Sequence, residues 1–260
     1  MGSNVGFLIS VFQWSNEDAM DRVDNKIHRS LISHWDTLKL CITRLNAASS
    51  VHPQDGYAVV KHLDSLNGAA TFEIEPILVN LPERANDSSL NLFVVVRGRL
   101  AIDRSHFENS GALRTSQFAT EAGYFRLKTN ELQHVYGAHY DFAEDEVGHP
   151  VFHAQMKSFA DFAEIIKAYY SAQDLLLDDG MKAILKTVRL PSAQMDVFSF
   201  LLQLVADYLL SRDSTDDDKS FFYELVQDSK RMQGAAFAIE RLQVPPANLC
   251  YRSAHWYPPH

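Results

Sequence analysis

Between Thr71 and Lys157 the chain reads as five β-rich segments joined by little more than turns, and this run constrains the fold most. Thr71–Asn80, Asn91–Asp103, Gln117–Thr129, Leu132–Phe142 and His149–Lys157 are rich in β-branched and aromatic residues and partly alternate apolar with polar. The breaks between them carry turn residues: Glu83–Ser89 (ERANDSS), Glu108–Gly111, Asn130 and Glu144–Gly148. Connections this short join antiparallel strands, because a parallel pair needs a crossover of about a dozen residues or more. No strand–helix alternation or phosphate-loop pattern accompanies them, which sets aside a doubly wound nucleotide-binding fold.

Helical periodicity flanks the sheet on both sides. Met20, Val23, Ile27, Leu31, Trp35, Leu38, Ile42 and Leu45 recur at three- and four-residue steps and form one apolar stripe. Ser15 is the expected N-cap, with Glu17 and Asp18 in the first turn, and the helix ends near Asn46. Its heptad-like spacing also permits a homodimer or another protein partner. After the sheet, Ser158 and Asp161 open a helix through Tyr169; Pro191-Ser192 start an apolar helix to Leu210; Asp216–Asp218 start one carrying Phe221, Phe222, Leu225 and Val226. The expectation is one α+β domain over 1–260: a long N-terminal helix (1–50), a mainly antiparallel sheet (51–157) and a C-terminal helical layer packed on one face (158–260).

Composition narrows the function classes. With 260 residues, 46% hydrophobic and 22% charged, the chain can bury a full core without staples. A formal net charge of −9 argues against nonspecific binding to nucleic acid or an anionic membrane by bulk charge, but leaves room for a local basic patch. Cys41 and Cys250 lie far apart without metal-ligand spacing, as in a reducing cytosol. The apolar run at Phe7–Phe12 is too short for a signal core, and Val197–Leu210 falls short of a membrane span. These features predict a cytoplasmic protein with no membrane partner and no cofactor.

Three histidines and several acids fall within GAHYDFAEDEVGHPVFHAQM, Gly137 to Met156. If its two arms pair as a hairpin, alternation puts Tyr140, Phe142, Phe152 and Ala154 on one face and His139, Asp141, His149 and His153 on the other. Four residues along a strand span about 13 Å, so His149 and His153 cannot chelate one ion, and no tightly bound transition metal is expected. Alternation on the neighbouring strands adds Arg97, Arg99, Arg126 and Lys128 to the polar face, with Tyr124 as an aromatic platform. Cations beside titratable histidines suit RNA or DNA phosphates. The same group could act as a nuclease or phosphodiesterase, with histidine as acid and base and arginine on the phosphate. A solvated face on a non-catalytic interaction protein, acting through the long helix, is the third reading.

Tyr140-Asp141, then His149-Pro150 with His153, then Arg189 and Pro191 before an apolar helix, resemble an uncharacterised bacterial protein family. That family carries a Tyr-Asp pair, His-Pro-x-x-His and Arg-x-Pro in this order. The resemblance covers roughly Tyr124 to Leu210. It implies a bacterial cytoplasmic protein of unknown activity encoded among mobile-element or phage-defence genes, and assigns no catalytic residue. Joined to the basic face, it predicts a nucleic-acid-binding or accessory component of a bacterial phage-defence or toxin–antitoxin system.

Overall fold

The computed structural model describes residues 20–66, 68–82, 91–128, 131–142, 149–150, 152–171, 174–177, 189–191, 195–210, 214–233 and 250–251. The chain is α+β. Helix α1 (Arg22–Leu45) leads to strand β1 (Ser50–His52), the one-turn helix α2 (Gly56–Val59) and strands β2 (Val60–Leu66), β3 (Ala69–Pro82) and β4 (Asn91–Asp103). A short helix α3 (Arg104–Ser110) precedes β5 (Thr115–Lys128), β6 (Glu131–Phe142), β7 (His149–Pro150) and β8 (Phe152–Met156). Helix α4 (Phe162–Tyr169), strands β9 (Asp174–Leu177) and β10 (Arg189–Pro191), helix α5 (Val197–Leu204), a π-helical turn (Val205–Leu209), helix α6 (Asp216–Gln233) and strand β11 (Cys250–Tyr251) follow.

The sheet runs β1-β3-β4-β5-β6-β8-β10, with β2 beside the other half of β3 and β9 beside the start of β6. All these pairs are antiparallel except β6–β9. The antiparallel expectation for the central strands therefore holds, and β4 has the expected bounds. His149 departs from its expected place. His149–Pro150 pairs in parallel with Cys250–Tyr251 in a separate two-stranded sheet, so the segment read as one strand is two.

Other boundaries moved for identifiable reasons. Asp21, not Ser15, caps α1: its carboxylate accepts from the Val23 N–H at 3.2 Å, and Ser15 itself lies outside the described residues. Asp196 caps α5 through the Phe198 and Ser199 N–H groups, while Pro191 belongs to an edge strand, which tolerates its missing donor. Glu108–Gly111 is the end of α3, which Asp103 caps and which Gly111 stops in the left-handed conformation at φ 71°.

Two cores hold the sheet. On one face, α1, α5 and α6 bury Ile27, Leu31, Trp35, Phe198, Leu201 and Leu225 against Phe72, Val94, Val96 and Leu100. The α1 stripe is thus consumed inside its own domain. Each fully buried Leu, Ile or Phe of this kind stabilises by roughly 1.5–3 kcal/mol. On the opposite face α4 covers one end only, packing Phe162, Ala163 and Ile166 on Phe93, Val95, Phe125 and Leu132. The other end of that face is polar. Among the described residues no helix is long and apolar enough to cross a membrane.

Candidate functional site

Register assembles the polar end from four strands. Arg97 on β4 stands opposite Glu121 on β5, Glu121 opposite His139 on β6, and His139 opposite Gln155 on β8. In the next row, Arg99 stands opposite Ala119, Ala119 opposite Asp141, and Asp141 opposite His153. Directly opposed residues in an antiparallel sheet lie about 4.5–5.5 Å apart at Cβ, so these side chains must meet.

They meet as a chain in which the acids Asp141 and Glu121 alternate with histidine, arginine and lysine. His153 Nδ1 lies 2.9 Å from Asp141 Oδ1, and His139 Nε2 lies 3.0 Å from Asp141 Oδ2. A carboxylate only accepts, so this contact fixes the His139 proton on Nε2. His139 Nδ1 then faces Glu121 Oε1 at 3.9 Å. Glu121 in turn accepts from Arg97 (Nε 2.8 Å) and Lys157 (2.7 Å), and Arg97 reaches Asp161 at 2.8 Å. The Arg97 guanidinium also lies 4.7 Å over the Phe162 ring, which ties the network to the start of α4.

Burial sorts the members. His153 is 1% exposed. Asp141 is half-buried; burial raises its pKa, but the hydrogen bonds and charges of His139 and His153 outweigh this and hold it well below the usual carboxylate range. Glu121 follows the same pattern, with burial opposed by Lys157 and Arg97 and a net lowering. Both acids are therefore carboxylates at neutral pH.

An open cleft of about 390 Å³ adjoins the network, lined by Glu73, Glu75, Arg97, Arg99, Glu121 and His139 among others. Gly98 on its floor is required by packing from behind: a Cβ there would come within 2.4 Å of the Ala119 carbonyl and 2.7 Å of Val197 Cγ2. Glycine at this point lets α5 settle on the back of the cleft.

The structure brings His139, Asp141 and His153 to one face, with Tyr140, Phe142, Phe152 and Ala154 on the other, as the hairpin alternation requires. It does not gather the cations. Tyr124 packs toward the α1–α5 core and Arg126 lines a pocket beside it, on the face opposite Arg97 and Arg99. The Lys128 and His149 side chains lie outside the described residues. Glu121, Lys157 and Asp161 were missed. The alternation that selects Arg97 also selects Glu121, two strand positions before Gly123, but only once the register is known. No group of three or more His, Cys, Asp or Glu among the described residues is arranged to hold a metal ion. In comparisons with known proteins, no family model, no curated protein and no solved structure matches the chain.

Proposed function

We propose that the cleft over Arg97 and Arg99 is a general acid–base site, and that the protein is a phosphate-ester hydrolase of the nuclease or phosphodiesterase kind. The observation that carries this reading is the chain Glu121–His139–Asp141–His153 ending at the cleft wall. Asp141 accepts from His139 Nε2 and leaves Nδ1 turned toward Glu121 Oε1 at 3.9 Å, a gap too long for a hydrogen bond, which must close when substrate binds before the pair can move a proton. Buried His153 holds Asp141 in place from behind. Arg99, exposed at the cleft, supplies a charge for an anionic group, while Arg97 already serves Glu121 and Asp161. Division of the cations between two faces weakens the alternative of a nucleic-acid-binding component without chemistry.

The test is hydrolysis of bis(4-nitrophenyl) phosphate and of short RNA and DNA by the purified protein. Acid–base catalysis contributes about 10²–10⁴-fold, so His139→Ala and Glu121→Gln should each lower turnover at least 100-fold. Turnover unchanged in His139→Ala, or none in the wild type with any substrate, overturns the proposal. Salt-sensitive binding without turnover, with its log–log slope lowered by about one in Arg99→Ala, would establish the binding reading in its place.

A further inference from the structure

On the opposite face of the sheet, two departures from regular backbone converge on one pocket. The β5–β6 register passes from Tyr124–Tyr136 to Phe125–His134 and leaves Val135 unpaired, a β-bulge. Facing it, the helix that begins as α5 widens into the π-helical turn Val205–Leu209, which carries Tyr208. Bulges and π-turns both re-aim side chains, and both recur next to binding sites. Here they enclose a pocket of about 260 Å³ lined by Leu92, Tyr124, Arg126, Val135, Tyr136 and Tyr208. Val135 is 43% exposed and Arg126 is exposed, so the pocket opens to solvent at their side. Its inner wall is aromatic: Tyr124 and Tyr136 meet edge to face at 5.6 Å, and Tyr124 meets Phe200 at 6.2 Å.

We propose that this pocket binds a planar aromatic anion, its ring among Tyr124, Tyr136 and Tyr208 and its negative group toward Arg126. Three tyrosine rings offer a π-surface to a flat ligand and little to a saturated one. The Tyr124 hydroxyl stays neutral, since burial, followed by the nearby Tyr140, Tyr208, Tyr136 and Asp207, raises its pKa far above the usual value. It therefore adds no charge that would repel an anion. Arg126 has five N–H donors and can serve a ligand alongside its existing contacts. The volume suits one or two fused rings. A nucleoside monophosphate and an aromatic carboxylate share this chemistry.

Calorimetric titration with AMP, indole-3-carboxylate, cyclohexanecarboxylate and tryptamine tests the proposal. At least one aromatic anion should bind at least tenfold tighter than both cyclohexanecarboxylate and tryptamine. Binding of AMP names the nucleotide as the source; binding of indole-3-carboxylate alone names the aromatic acid. Val135→Trp should fill the pocket and abolish binding, and Arg126→Gln should weaken it about tenfold; both sites are exposed, so circular dichroism should show the wild-type fold. His139→Ala should leave binding unchanged, which separates this site from the cleft. Binding by neither aromatic anion, equal binding of a control ligand, or wild-type affinity in Val135→Trp overturns the inference.

Discussion

His34 should make the protein acid-sensitive well above the range in which carboxylates titrate. It lies on α1, bonded to Ser229 of α6 (Nε2 to Oγ, 3.0 Å) and edge-on to Phe198 of α5 at 5.2 Å. Burial lowers its pKa from 6.5 to about 4, against a smaller opposing attraction from Asp228. The folded state thus refuses a proton that the unfolded chain accepts. Stability is complete above pH 6.5 and is lost as pH falls through the interval down to about 4. At ~1.4 kcal/mol per pH step the full loss is about 3 kcal/mol, of which about 2 kcal/mol has gone by pH 5. Urea titrations from pH 7.5 to 4.5 read this directly, as a fall of roughly 1 M in midpoint by pH 5. His34→Gln keeps a hydrogen-bonding group beside Ser229 without the titration, so its profile should be flatter by about 2 kcal/mol over the same span. Profiles of wild type and His34→Gln that run parallel to within ~0.5 kcal/mol would refute this assignment.

Asp141→Asn should cost about 1–3 kcal/mol, since it removes the charge that both His139 and His153 contact, and urea midpoints at pH 7 measure it. Its acid-linked share sits lower than that of His34: the depressed Asp141 contributes stability that is lost only as pH falls below about 4, so the two effects separate on one pH axis. Gly98→Ala should lower stability by about 1–3 kcal/mol in thermal melts, because the new Cβ meets the Ala119 backbone, which has no rotamer to yield. Cys41 is fully buried and its thiol is pushed up to about 11 by that burial, so peptide mapping after iodoacetamide at pH 8 should find it unlabelled in native protein and labelled in urea.

Much of the fold was legible because it rests on local signals. The stripe Ile27, Leu31, Trp35, Leu38 and Ile42 is a helix face and is buried as one. Alternation across Gly137–Met156 needed only a hairpin to place His139, Asp141 and His153 together, and the pairing of Asp141 with His153 supplied it. Short elements were not legible. Strands of two to four residues such as His149–Pro150 and Arg189–Pro191 are too brief to show a period, and their pairing depends on partners distant in sequence.

The cations at Arg97 and Arg126 show where alternation stops being informative. On β4 the apolar residues Val94, Val96 and Leu100 face the α1–α5 core, which puts Arg97 and Arg99 on the other side. On β5 the conspicuous apolar residues are Phe125 and Leu127, and they face the core under α4. Matching apolar to apolar between these strands inverts one of them. The error is physical: a sheet covered on both faces, but at different ends, carries buried apolar residues of both parities, so polarity alone does not name a face. Register does. Once Arg97 is set against Glu121, parity carries Phe125 to the α4 face and Arg126 to the face of Tyr124 and Tyr208. What reads in sequence as one basic surface lies on two faces of different lining, a charged cleft around Glu121 and His139 and an aromatic pocket beside Arg126. A paired measurement follows: Arg99→Ala should change only what the cleft does, and Arg126→Gln only what the pocket binds. One substitution altering both would mean that the two faces act as a single binding surface after all.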